Sequence, residues 1–449
     1  MESPPDTRIL KRLIWLYFWL LIFEGALRKW IVPSLSTPLL VVRDPVVIAI
    51  YALAFSRGLF PKNAFIPWIV ALALLDAVTS LAGIGDLKVT IYGLRADFLH
   101  LPLIFVVPSV FTRDDVRKMG GACLLLLFPM TAIVFQQFQA SPDAWINAGA
   151  GGEMGGQLFA SAGKVRPSGM FSFVTGMASF LAVVTAFLLE RFLRADIVRW
   201  SLPFFAIPTL MLSLSLSASR SAIGGAAIVI FFAFIGCLRH RRLFGKALMP
   251  LGAASLAWFA LGSLRVFHEG LMVHRERFQG AGGVREGMVN RFVDDVLSSF
   301  HAANITPLFG FGLGVGTNAG AGLLSGERGF LLAEGEWSRV VLESGAILGF
   351  AFIFSRLLIA LRLAQVSWRA LATGNALPLL LLGACVLELT TGQLGQPTTL
   401  GFVALVTGLA FAATKDDDQP VASAEIPSLP PPQKMRGRAP HAEALHHGA

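Results

Sequence analysis

The stretch LLAEGEWSRVVLESGAILGF, Leu331–Phe350, changes character halfway along. Its second half opens an apolar run suited to a membrane helix. Its first half holds Glu334, Glu336, Arg339 and Glu343. A helix that starts near Glu336 places Glu336, Arg339 and Glu343 at i, i+3 and i+7, on one face. Arg339 and Glu343 then form an i,i+4 pair that holds the helix end. Glu334 and Glu336 stand closer to the aqueous boundary. There they either complement the helix macrodipole or, within reach of a hydroxyl, act as a general base.

The rest of the chain explains why such a cluster is unusual. Of 449 residues 55% are hydrophobic and 14% charged, with a mean hydropathy of +0.66, whereas soluble chains carry about 25% charged residues. Apolar runs of about 17–25 residues, the length that crosses a bilayer, recur along the sequence. They predict an all-α polytopic membrane protein of about twelve spans, over residues 10–30, 38–56, 65–84, 92–112, 119–139, 170–190, 201–218, 221–238, 246–265, 337–361, 376–392 and 398–413. The organisation expected is nine helices over residues 1–265, a mostly helical outer loop domain over 266–336, three helices over 337–414, and a polar, Pro-rich tail over 415–449 that reads as disordered.

The net charge of +9 does not point to nucleic acid, because the basic residues sit in short clusters between apolar runs, as the positive-inside rule requires. Arg57 and Lys62, the Arg113 to Lys118 group, Arg191 to Arg199, Arg239 to Lys246, and Arg356, Arg362 and Arg369 define one side, taken as cytoplasmic, with both termini on it. The basic start at Arg8, Lys11 and Arg12 precedes an apolar run without a small-residue cleavage site, so a retained first span is expected. Cys123, Cys237 and Cys385 lie in apolar runs. They predict neither a disulfide framework nor a metal site, and the eight His residues show no metal-ligand spacing.

A second set of basic residues breaks the pattern. Arg28 and Lys29 end the first span, Arg43 (beside Asp44) lies near the outer end of the second, and Arg95 opens the fourth. Arg166 precedes the sixth, Arg220 lies in the turn between the seventh and eighth, and Arg339 starts the tenth. All face the non-cytoplasmic side. Intramembrane charges pair or line polar cavities, and six helices offering Arg to one leaflet predict an anion-binding cavity. The alternative is interfacial anchors with local pairs such as Arg43–Asp44. Arg suits a pyrophosphate because its planar fork grips phosphate oxygens in bidentate fashion. The glycines of GFGLGVG, Gly310–Gly316, alternate and fit no dinucleotide or P-loop fingerprint.

Four stretches in order, RPSGMF (Arg166–Phe171), SASRSAIGG (Ser217–Gly225), PLFGFGLGVG (Pro307–Gly316) and a polar helix start leading to Glu343–Gly345, resemble motifs of the O-antigen ligase and O-antigen polymerase superfamily. The resemblance covers about 166–350. It implies a GT-C-like helical fold and transfer of glycan from an undecaprenyl-diphosphate-linked donor to a glycan or lipid-linked acceptor, at the periplasmic face of the bacterial inner membrane, with no cofactor or metal. It implies roles for Arg166 and Arg220 at the pyrophosphate, with Arg339, Arg28, Arg95 and, more distantly, Arg291 beside them, and polysaccharide-assembly proteins as further partners. The ligase branch carries a His eleven residues before the glycine, and counting back from Gly345 reaches Glu334. This chain thus has Glu334 and Glu336 in that region, which favours a polymerase or exopolysaccharide role with a carboxylate base. The competing reading is a polytopic transporter or flippase, whose design predicts internal repeats and charges at the midplane.

Overall fold

The computed structural model describes residues 7–83, 86–194, 202–283, 286, 290–326, 329 and 331–415. The expected tail lies outside the described residues, as do Arg199, Arg285 and the side chains of Arg241, Arg242 and Arg291.

The described residues form helices, with one isolated bridge, Phe159 to Val165, and no longer strand. In chain order they are α1 (Arg8–Ala26), α2 (Ser36–Leu39), α3 (Asp44–Ser56), α4 (Phe65–Gly83), α5 (Leu87–Leu94), α6 (Leu103–Val110), α7 (Arg113–Gln139) and α8 (Val174–Leu193). There follow α9 (Leu202–Leu216), α10 (Arg220–Arg239), α11 (Arg241–Leu261), α12 (Arg265–Gln279), α13 (Arg291–Ile305), α14 (Asn318–Ser325), α15 (Glu336–Ala372), α16 (Leu377–Thr391) and α17 (Pro397–Ala412). The described residues are thus all-α, and among them seven helical segments (the α2–α3 stretch Pro33–Ser56 counted as one), or eight with the bent pair α5–α6, are long and apolar enough to cross a membrane.

Each expected span overlaps at least one helix, but several are broken and not all are ordinary spans. The α1 segment has four charged residues within it. The α9, α16 and α17 helices have 15, 15 and 16 residues, at most about 24 Å at 1.5 Å per residue, short of the hydrocarbon thickness of about 30 Å. Near the centre, α8 is apolar all round and buried almost throughout, as expected of a helix ringed by others. The α16 and α17 helices pack beside it, while α11 is peripheral and exposes Leu251, Leu256 and Phe259.

Two turns of π-helix interrupt the regular pattern. One, Leu27–Ile31, continues α1 and carries Arg28 and Lys29. The other, Arg95–Leu99, continues α5 and carries Arg95 and Asp97. Such wide turns are rare and frequent at functional sites, and here both hold the out-of-pattern charges.

The largest departure from expectation is in α15. The sequence predicts one straight span over 337–361. Instead Gly345 leaves helical geometry, at φ 79° and ψ 168°, and the chain reverses there. The arm 336–344 folds back along the arm 346–372. A Cβ on Gly349 would stand 2.8 Å from the Cα of Val341, so the two arms touch backbone to backbone. Twenty residues apart on one helix would mean about 30 Å, yet Arg356 Nη1 lies 2.8 Å from Glu336 Oε1. The longer arm is therefore 346–372, about 40 Å long, and Arg356 sits about 15 Å along it. The placement of Arg356 in a cytoplasmic loop is corrected: it is fully buried.

The Gly-rich loop explains how the reversal is satisfied. Breaking a helix frees carbonyls that must find donors. Phe311 N donates to Leu342 O at 2.7 Å and Gly312 N to Glu343 O at 2.9 Å. The loop approaches so closely that a Cβ on Gly310, at φ +73°, would meet Glu343 O at 2.1 Å, and one on Gly345 would meet Leu308 O at 2.2 Å. Both positions combine positive φ with backbone contact, so Gly345→Ala and Gly310→Ala are each expected to destabilise by about 2 kcal/mol or more. Thermal unfolding of the detergent-solubilised variants checks this; unchanged midpoints would contradict the folded-back geometry.

Candidate functional site

The arm 336–344 carries its charges into the interior, where three carboxylates surround Arg339. Its Nη2 lies 2.7 Å from Asp97 Oδ1, its Nε 2.9 Å from Glu336 Oε2, and its Nη1 2.6 Å from Glu343 Oε2. Glu343 Oε1 accepts from Gly316 N at 2.7 Å, tying the Gly-rich loop to the same network. All three carboxylates and Arg339 are buried. The i, i+3, i+7 face is present, with an Arg339–Glu343 contact, but its third carboxylate comes from the π-turn of another helix.

Glu336 is the hub. Its Oε1 accepts from Arg356 Nη1 at 2.8 Å, Arg339 Nη2 at 3.1 Å and Leu394 N at 3.2 Å, and its Oε2 from Arg339 Nε. Three of these four donors converge on Oε1 and one on Oε2, so the carboxylate is held mainly through one oxygen. Glu336, one of the two acids expected as a base, is thus buried and held by two arginines and a backbone N–H. Arg356 completes the clamp by donating to the carbonyls of Leu389 at 2.8 Å and Gly392 at 2.7 Å, where α16 ends. Glu334, two residues earlier, is exposed and lines a small cleft with Gly316, Thr317, Asn318, Gln393 and Gln396, with Arg339 at its base. The two acids that look alike in sequence therefore separate: one is a structural hub and the other faces solvent.

A second network joins the first helices. Glu24 binds Arg43 at 3.2 Å and Arg28 at 3.3 Å. Asp44 binds Arg95 at 2.8 Å and His100 at 2.9 Å, and Tyr17 bridges Arg43 to His100. The sequence neighbours Arg43 and Asp44 thus take different partners. Of the arginines expected to line an anion-binding cavity, Arg28, Arg43, Arg95 and Arg339 are brought into two buried networks, each paired with carboxylate. Burying a charge without such pairing costs several kcal/mol. Lys29 differs, for it is buried and donates to Ser168 Oγ at 3.0 Å and Gly169 O at 2.6 Å, with no ion pair among the described residues.

Two arginines stand apart from carboxylate. Arg220 opens α10 after the Ser217–Ser219 turn, where Ala218 takes a left-handed φ of 47°. Arg277 of α12 donates to Ala218 O, which ties α12 to that turn. Neither arginine has an ion pair among the described residues, and Arg220 Nη1 is buried without a hydrogen-bond partner. Burial first, and the neighbouring Arg220 charge next, push the Arg277 pKa below the usual arginine range. On the same face of α12, His274 Nε2 contacts Leu214 O at 3.0 Å while its Nδ1 is buried and unpartnered.

Arg166 lies in the loop that connects these regions. At one end Ser161 Oγ reaches Val273 O of α12, at 3.4 Å, and Lys164 lies 3.8 Å from Glu269. At the other end Ser168 and Gly169 receive Lys29. Arg166 is thus placed between the Arg220–Arg277 pair and the first π-turn. Arg291 begins α13, and its side chain lies outside the described residues. Sequence reading missed Asp97, Arg277 and Arg356. Arg356 had a signal, since apolar residues flank it for most of a span on either side. Asp97 and Arg277 had none beyond their nearness to Arg95 and His274. Among the described residues no group of three or more His, Cys, Asp or Glu is placed to hold a metal ion.

No protein-family model matches this chain, and no curated protein matches it.

The Glu336–Arg356 clamp yields a test. Glu336→Gln and Arg356→Met each strand a buried charge and are expected to cost about 3–5 kcal/mol. The double variant is expected to lose less than the sum. A double-mutant cycle on thermal unfolding measures this coupling, and strict additivity would show that the two side chains do not meet.

Proposed function

We propose that the chain is an inner-membrane glycosyltransferase that polymerises or ligates undecaprenyl-diphosphate-linked oligosaccharide at the periplasmic face, for O-antigen or exopolysaccharide synthesis. In this reading all twelve apolar elements span, the architecture is GT-C-like, and both termini are cytoplasmic. The observation that supports it most is the Arg220–Arg277 pair. Two neighbouring cations without a carboxylate repel each other, and a diphosphate relieves that repulsion while engaging their planar forks. Arg166, in the adjoining loop, is the third phosphate ligand. The paired arginines Arg28, Arg95 and Arg339 hold the scaffold and set the potential around it.

The chemistry then divides between two places. Arg220, Arg277 and Arg166 hold the donor's diphosphate. The acceptor hydroxyl gives its proton to Glu334, the exposed carboxylate of the cleft, and its oxygen attacks the anomeric carbon. The bond from that carbon to the phosphate oxygen breaks, and the electron pair leaves on the diphosphate, stabilised by the arginines. Glycan and polyprenyl diphosphate are the products.

A transporter is the second reading, favoured by one observation: the helix breaks at Gly345 and between α5 and α6 resemble the discontinuous helices that form transport sites. Polymer formation separates the two. Arg220→Ala and Arg277→Ala are each expected to abolish polymer in cells with membrane protein level unchanged. Glu334→Gln is expected to slow transfer about 100-fold or more without weakening donor binding. Normal polymer in both arginine variants would sink the site. Uptake of lipid-linked glycan by sealed vesicles, with no polymer formed by purified protein, would favour transport.

A further inference from the structure

We infer that the cleft beside Glu334 is an acceptor subsite that selects an uncharged, hydroxyl-rich sugar. The inference rests on the transferase reading above and assigns that reaction's acceptor a chemical class. The cleft presents Asn318, Gln393 and Gln396 together with Glu334. Three amides offer both donors and acceptors, which is what a sugar hydroxyl needs, since each hydroxyl donates and accepts.

The amides are positioned from behind. Thr175 Oγ1 of α8 donates to Gln396 Oε1 at 2.9 Å, Gln396 Nε2 donates to Gln393 Oε1, and Gln393 Nε2 donates to Glu334 O at 2.5 Å. The bonds run in one direction and leave each glutamine one N–H and one oxygen lone pair uncommitted. The Asn318 amide is exposed and makes no side-chain hydrogen bond among the described residues. Thr317 is otherwise engaged: its hydroxyl donates to Gly314 O at 2.7 Å and accepts from Gly320 N at 3.0 Å, which caps α14.

Charge decides against an acidic sugar. Among the described residues Arg339 is the cation of the cleft lining, and its Nε, Nη1 and Nη2 are all directed to carboxylates. Glu334 adds an open carboxylate that repels a second anion. An acidic sugar would enter without a counter-charge, whereas a neutral one loses nothing. The unpaired cations, Arg220 and Arg277, belong to α10 and α12 and serve the diphosphate instead.

Saturation-transfer NMR on the full-length protein in lipid nanodiscs tests this with two probes of equal length, an uncharged hexose tetrasaccharide and a hexuronic acid tetrasaccharide. The uncharged probe is expected to bind more tightly. Gln393→Leu is expected to weaken it about fivefold, as for one lost hydrogen bond. Asn318→Lys is expected to shift preference toward the acidic probe; the position is exposed, so this variant decides the matter if Gln393→Leu fails to fold. Equal or tighter binding of the acidic probe to the wild type would overturn the inference, as would an unchanged preference in Asn318→Lys. Glycan transfer that ignores both cleft variants overturns the inference alone. Sugar binding without any transfer from a polyprenyl diphosphate overturns the transferase reading alone.

Discussion

The ion pair between Glu336 and Arg356 is the constraint on which the interior depends. It joins two arms of one helix that reverse at Gly345, and it does so in the apolar core, where neither charge is tolerated alone. Once the arm 336–344 is folded back, Arg339 must find its partners inside the protein. It takes Asp97 from a π-turn and Glu336 and Glu343 from its own arm. Arg356 then reaches onward to the carbonyls at the end of α16. One reversal thereby organises α5, α15, α16 and the Gly-rich loop around a single charged group.

The short helices follow from the same arrangement. The α16 and α17 helices do not fill the hydrocarbon thickness, and the recess at their junction, around Gln393 and Gln396, lies beside the folded-back arm. The space is polar because the backbone there is irregular, and irregular backbone within a membrane is tolerated where protein buries it or a wet cavity receives it. Buried charge thus acts in two ways. In the Asp97–Arg339–Glu336–Glu343–Arg356 network and in the Glu24–Arg28–Arg43 and Asp44–Arg95 groups every arginine meets a carboxylate, and these contacts set the architecture. The Arg220–Arg277 pair has no ion pair among the described residues, and it is the pair on which the proposed diphosphate site rests.

The charged residues show how far the sequence could be read. Placing Arg28, Arg95, Arg220 and Arg339 at one end of several helices needed only span counting. Their roles needed more. Adjacent Arg43 and Asp44 suggested a local pair, yet side chains one apart on a helix point in different directions, and each meets a different helix. Glu334 and Glu336 looked equivalent from their spacing, but one extra half-turn carries Glu336 under Arg339 while Glu334 stays in solvent. Alternate glycines in GFGLGVG fitted no nucleotide-binding fingerprint; two of the backbone contacts they permit close the ends of a broken helix.

By itself the sequence determined where the apolar helices lie and which residues are too polar for the surrounding apolar runs. Those properties are local: hydrophobic length and charge placement act over a single span. Only the tertiary structure decided which charges are matched. Arg339 and Asp97 stand 242 positions apart, and nothing in either neighbourhood names the other. Whether an arginine is a scaffold or a ligand site depends on whether a carboxylate from another helix reaches it, and that is settled by packing.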